Sequence, residues 1–219
     1  MLSPTQCAKS VLHLLNMVSN SPTASINDVE GCKEGYLKMA EYVPSDAEKI
    51  LDLGCGTGLE LEEIFSKIPD VCVTGIDLCK EMLSKLGEKY KKRNINLICG
   101  DYFDVPFAAG FDCAISFQTM HHFTKEKKTE LYRKISSSLT DNGVYIECDY
   151  MVETEQEEAH WFAENERLRR EQGLTDDELY HYDVPCTVEN QINMLLSAGF
   201  CTVEKVMRIE NTTMLVARK

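Results

Sequence analysis

The stretch Ile50-Leu51-Asp52-Leu53-Gly54-Cys55-Gly56-Thr57-Gly58 decides how this chain is read. Its first four residues form a short, mostly apolar run, as a buried strand requires. Three glycines at alternate positions follow, which let the backbone turn tightly and approach a ligand closely. Leu61, Ile64, Phe65 and Ile68 then recur at i, i+3, i+4 and i+7, so a helix begins almost at once. A strand that feeds a glycine turn and a helix puts the turn at the carboxyl edge of a parallel sheet, where such proteins bind nucleotides. The spacing here is GxGxG. A dinucleotide fingerprint would place its third glycine at position 59, which is Leu59.

Moving outward, four more short apolar runs read as strands: 71–76, Ile95–Cys99, Phe111–Phe117 and 143–148. Between them, Met82, Leu83, Leu86 and Tyr90 form one helical stripe and Leu131, Ile135 and Leu139 another. This alternation is that of βαβ units on a parallel sheet. Residues 1–43 read as a helical preface with helices over 5–18 and 29–43, parted by the turn composition of Ser19-Asn20-Ser21-Pro22-Thr23. Over 150–186 the alternation stops, and a polar helix over 153–172 carries Trp161, Phe162 and Leu168 among many charges. A helix opened by Thr187 and closed by Gly199 follows, with Val188, Ile192, Leu195 and Leu196 as its apolar face. The runs 201–209 and 212–217, separated only by Glu210-Asn211, close the chain as an antiparallel hairpin. The expectation is one domain over 1–219: preface 1–43, core 44–149, insertion 150–186, and closing helix and hairpin 187–219.

The glycine turn has company. Asp77 ends the second strand in Gly75-Ile76-Asp77-Leu78, where a carboxylate would accept from both hydroxyls of a ribose. Gly100-Asp101-Tyr102 follows the third strand, with an acceptor for an adenine amino group and a ring to pack on its face. Taken singly, Asp77 is also a good helix cap and Asp101 a good turn residue. Three successive strands all ending in suitable groups favour a nucleotide-type ligand.

In LDLGCGTG (51–58), GIDLCKEML (75–83), ICGDYFDVPF (98–107) and FDCAISFQTMHHF (111–123), the chain resembles the class I S-adenosylmethionine-dependent methyltransferases over residues 47–219. The resemblance implies a Rossmann-like, doubly wound α/β fold. Its seven-stranded, mostly parallel sheet has the order 3-2-1-4-5-7-6, with strand 7 antiparallel and helices on both faces. It also implies that S-adenosyl-L-methionine is the cofactor and S-adenosyl-L-homocysteine the product. Carried over residue by residue, Gly54, Cys55, Gly56 and Gly58 border the methionine moiety, and Asp52 contacts its amino-acid end. Asp77, with Leu78 beside it, holds the ribose, and Asp101 and Tyr102 hold adenine. Ser116 and Phe117 line the reactive side.

Past the fourth strand lies Gln118-Thr119-Met120-His121-His122-Phe123, on the rim where acceptor and sulfonium must meet. A histidine titrates near neutrality and can serve as a general base. In related phosphobase N-methyltransferases the equivalent of His122 acts in a catalytic dyad, which makes His122, and after it His121, the catalytic candidates. The insertion and the preface are the segments that cover the cleft in this fold, so Tyr36, Tyr150, Trp161, His181 and Tyr182 are the acceptor-pocket candidates; Tyr42 in the preface has the same status. The insertion also resembles that of carboxy-S-adenosylmethionine synthase. That relative needs a basic residue before the penultimate helix, and Tyr180-His181-Tyr182-Asp183-Val184-Pro185 has neither Arg nor Lys.

A net charge of −13 argues against a nucleic-acid surface, because phosphate binding rests on Lys and Arg. Ten cysteines with no CxxC pair, mostly within apolar runs, read as reduced core thiols. With no leader-like or membrane-spanning run, the expected compartment is the cytoplasm, and the expected form a monomer or homodimer. In-line methyl transfer requires neither a protein nucleophile nor a metal. The sequence therefore predicts a methyltransferase acting on a small-molecule acceptor, with amine or hydroxyl ahead of carbon. The alternatives are a carboxy-S-adenosylmethionine synthase-like enzyme, a nucleobase-modifying enzyme, and a non-catalytic cofactor-binding regulator.

Overall fold

The computed structural model describes residues 31–174 and 182–219. Their elements are α1 (Cys32–Tyr42), β1 (Lys49–Leu53), α2 (Leu61–Lys67), β2 (Cys72–Asp77), α3 (Lys80–Lys89), β3 (Ile95–Cys99) and β4 (Phe111–Phe117). After these come a 3₁₀ turn (Met120–His122), α4 (Lys125–Ser138), β5 (Leu139–Tyr150), α5 (Glu155–Gln172), α6 (Val188–Ser197), β6 (Thr202–Ile209) and β7 (Thr212–Arg218). The seven strands form one sheet in the order β3-β2-β1-β4-β5-β7-β6. β1 to β5 run parallel and β7 antiparallel to its neighbours, as expected from the sequence. The two faces carry separate cores. One joins α1, α2 and α3 to the sheet through Met39, Ile64, Phe65, Leu86, Ile50 and Ile115. The other joins α4 and α6 to it through Leu131, Ile135, Leu195, Leu51, Ala114 and Tyr145.

Local chemistry sets most boundaries. Thr124, Thr154 and Thr187 cap α4, α5 and α6, each hydroxyl accepting from a backbone N–H three residues on. At α5 Glu157 reaches back to the Thr154 N–H and completes a capping box. The closing hairpin turns at Glu210, which adopts φ 49°, the left-handed conformation that a two-residue turn of this hand requires.

Several boundaries and faces differ from the sequence expectation. The second strand starts at Cys72, one residue late. Leu139 opens β5 opposite Phe111 instead of closing the helix before it, and an irregularity absorbs the residues up to Val144. Leu196 is 42% exposed, and Gln191 takes the inward place on α6, where it bonds Glu147 and the Tyr132 hydroxyl in a buried polar network. Nine cysteines are described and all are free thiols, yet Cys99 and Cys201 lie at the surface, where flanking strands end. The expected helix over 5–18, together with Cys7 and His181, falls outside the described residues.

Candidate active site

The carboxyl ends of β1, β2, β4 and β5 lie side by side, with Leu53 in register with Ile76 and Ser116, and Ser116 with Glu147. The glycine turn leaves β1 at this edge. Gly54, Gly56 and Gly58 all have positive φ, and a Cβ on Gly54 would come within 2.7 Å of the Thr119 hydroxyl and 2.8 Å of the Tyr102 hydroxyl. Only glycine fits there. Asp77 braces the turn: one carboxylate oxygen accepts from the Gly56 N–H at 2.9 Å and the other from the Cys79 N–H at 2.7 Å. Its pKa is raised because burial outweighs those hydrogen bonds. Cys55 turns its thiol under the sheet, 2.8 Å from where a Cβ on Gly75 would stand. Asp101 forms an Asx turn by accepting from the Phe103 N–H at 2.9 Å. Tyr102 is buried below the turn, its hydroxyl 3.2 Å from that of Thr119.

Asp52 and Glu60 make a second feature of this side. Both are nearly inaccessible, at 1% and 6% exposure, and Asp52 Oδ2 and Glu60 Oε1 have no hydrogen-bond partner among the described residues. Burial raises both pKa values, and each carboxyl feels the other. Unsatisfied buried carboxyl oxygens are costly, so an arrangement of this kind fits a cationic group such as an amino acid's ammonium. Glu60 was not visible as a site residue from sequence, since it sits where a helix-start acid is ordinary.

The opposite side of the edge is built from side chains. His121 Nδ1 bonds Asp149 at the end of β5, and the His121 N–H donates to the other Asp149 oxygen at 3.0 Å. Burial alone would depress the His121 pKa, but the charge of Asp149 and its hydrogen bond reverse this and raise it. Asp149 moves down, as burial is overcome by the facing imidazole. Asp183 approaches both histidines, 3.6 Å from His121 Nε2 and 3.4 Å from His122 Nδ1. A main-chain bond from the Val184 N–H to the His121 carbonyl, 2.7 Å long, fixes this approach. Next to the histidines stand Tyr150, 6.3 Å from the His121 ring, then Trp161 at 6.4 Å from Tyr150 and Tyr182 at 5.9 Å from Trp161. Asp149 and Asp183 also escaped the sequence reading. An acid at the end of a fifth strand was the only available signal for the first.

Two of the expected lining residues are otherwise engaged. The Ser116 hydroxyl lies 2.7 Å from the Tyr145 hydroxyl, on the face of the sheet toward α4. Phe117 packs against Tyr36 with centroids 4.4 Å apart and the rings tilted by 36°, and Gly35 lets α1 close onto the Phe117 ring. Leu78 is partly exposed beside Asp77. Helix α5 is pinned by one buried acid, Glu158, which pairs with Lys125 and accepts from the Thr187 N–H at 2.6 Å and from Asn190 Nδ2 at 2.9 Å. No helix among the described residues is long and apolar enough to cross a membrane.

This sheet order, with a glycine turn after β1 and acids at the ends of β1 and β2, defines an α/β enzyme of the class I methyltransferase type. A methyltransferase-domain family model matches residues 50–143. The carboxy-S-adenosyl-L-methionine synthase of Helicobacter pylori (strain P12) is 31% identical over 182 residues, covering 78% of this chain and 74% of that protein. The synthase of the same name from Campylobacter concisus (strain 13826) is 28% identical over 191 residues, covering 83% and 81%. Human N-acetylserotonin methyltransferase in complex with SAM shares the fold at a TM-score of 0.64 and 17% identity, over 97% of this chain and 56% of that one. The chain belongs to the S-adenosylmethionine-dependent methyltransferase family, whose methyl donor is S-adenosyl-L-methionine.

Proposed function

We propose that this enzyme transfers the methyl group of S-adenosyl-L-methionine to a small-molecule amine or hydroxyl bound between the His121–His122 turn and the Tyr150, Trp161 and Tyr182 rings. The cofactor supplies an electrophilic methyl on a cationic sulfur, whose departure needs no acid. The rest falls to the chain. The observation that carries the reading is the His121–Asp149 pair, which stands at the end of the strands next to those bearing the glycine turn. Asp149 fixes the imidazole by holding Nδ1, so Nε2, which Asp183 approaches at 3.6 Å, is the nitrogen turned to the acceptor's side, with the His122 ring beside it.

On the donor side, Asp52 and Glu60 are suited to the cofactor's ammonium group, Asp77 to its ribose and Asp101 to the adenine. Helix α5, which carries Trp161, covers the acceptor and excludes water. The aromatic wall suits an acceptor with a cationic nitrogen or a ring. The test is transfer from the methyl donor to a panel of metabolite amines and alcohols, read by mass spectrometry as equal yields of methylated product and S-adenosyl-L-homocysteine. Tight cofactor binding without turnover on any member would overturn the enzyme reading in favour of a regulator.

A second reading comes from the synthase names of the relatives. It requires a cation for the cofactor's extra carboxylate, and the described part of the stretch that would carry one, 182–185, offers Asp183 instead. The mass of the cofactor retained through purification separates the two: unmodified S-adenosyl-L-methionine supports methyl transfer, and a carboxylated form supports the synthase.

A further inference from the structure

The geometry points to a divalent transition-metal site formed by His121 Nε2, His122 and Asp183 at the acceptor end of the cleft. One ligand atom from each residue lies within 4.8 Å of the other two. Zinc bound tetrahedrally at its usual 2.0–2.1 Å needs ligand atoms about 3.4 Å apart. The Asp183 oxygen stands 3.4 Å from His122 Nδ1 and 3.6 Å from His121 Nε2, so two of the three edges are already near their final length.

The surroundings add a second line of evidence. His121 gives its Nδ1 to Asp149, the carboxylate–histidine arrangement that orients an imidazole and makes its other nitrogen a better ligand. Asp183 is 61 residues from His122 in sequence and is nevertheless held beside the histidines by the Val184-to-His121 main-chain bond. The two carboxylates that face the histidine pair, Asp149 and Asp183, balance a dipositive ion in a buried setting. Among the described residues, the cation facing this cluster is the buried Lys128, whose Nζ points to the Val184 carbonyl at 3.4 Å and to the Cys186 thiol at 3.3 Å. Two imidazoles and one carboxylate suit zinc, cobalt, iron or nickel over magnesium or calcium. Three protein ligands leave a fourth position, which the oxygen or nitrogen of the acceptor can take. That last role rests on the function proposed above, whereas occupancy of the site does not.

The test is titration of zinc(II) into untagged, chelator-stripped full chain by calorimetry, repeated with cobalt(II) and read by its visible spectrum. The expected result is one equivalent bound, weakened at least tenfold in Asp183→Asn and in His122→Ala and unchanged in Cys99→Ser/Cys201→Ser, with ligand-field bands of a four-coordinate N,N,O site. Equal binding by wild type and Asp183→Asn would overturn the proposal. So would a thiolate-to-cobalt charge-transfer band, which is read on wild-type protein and needs no variant to fold. If one equivalent binds but no acceptor is methylated, the metal site stands and the methyltransferase reading falls. Turnover with no metal bound gives the converse.

Discussion

The two sides of the cleft are made of different material. The proposed cofactor side is backbone: a turn of glycines with positive φ, braced by Asp77 through two main-chain N–H groups. The proposed acceptor side is side chains drawn from three places, the turn at 121–122, the end of β5 at 149 and the segment at 183. Backbone geometry is set by a few contiguous residues and tolerates no Cβ. A side-chain cluster depends on distant segments docking correctly, and its groups are buried together. The first is therefore expected to fail in binding when altered, and the second in stability.

Removing Asp149 should have the largest effect, because it leaves the buried His121 ring without the carboxylate bonded to its Nδ1. Breaking a buried pair of this kind costs about 3–5 kcal/mol. Urea unfolding of Asp149→Ala should show this, and a loss below about 1 kcal/mol would mean the acceptor side is not held together by its charges.

The foundation beneath it titrates. Burial among Tyr132, Tyr145 and Gln191 raises the Glu147 pKa to about 7. An unfolded glutamic acid releases its proton near about 4.3, so the folded chain holds a proton that the unfolded one has lost. Stability should therefore fall as pH rises from about 4.3 to about 7, at up to about 1.4 kcal/mol per pH unit from this group, and level off above. Glu147→Gln should remove that slope; an unchanged profile in the variant would assign it to another group.

On the cofactor side, Gly54→Ala should fold but lose affinity for the methyl donor by about 10–100-fold. A non-glycine residue at this φ costs on the order of 1–3 kcal/mol, and the methyl group meets two hydroxyls. Calorimetric titration with S-adenosyl-L-homocysteine would measure it, and unfolding in place of weakened binding would erase the contrast between the two sides. The smallest effect is expected at Leu196→Lys, which should change stability by no more than about 0.5 kcal/mol because the residue already faces water. A larger loss by the same unfolding assay would show that α6 packs on something through that face.

How much of this was legible in sequence follows the same division. The glycine turn, Asp77 and Asp101 could be located because each sits at or just past the end of an apolar strand, so a short apolar run and its terminus gave both element and site. The strand order followed from resemblance, and the hairpin from the two-residue gap between apolar runs. Leu196 was misplaced because helical periodicity allows a face to be shifted by one residue, and only packing against β5 and α4 determines whether Gln191 or Leu196 turns inward. Tyr102, expected beside adenine, has its hydroxyl under the turn, a direction that loop closure sets.

By itself, then, the sequence determined a parallel sheet with a nucleotide-type turn and acids at the strand ends beside it, while the cofactor came from the resemblance those motifs carry. These are local patterns, carried by spacing, backbone permissiveness and the residues next to a strand end. Only the tertiary structure decided that Asp149 and Asp183 face those histidines, that Glu60 joins Asp52, and that Ser116 belongs to a buried network with Tyr145. Such pairings span up to 62 residues of chain and depend on register and docking, which no short window of sequence contains.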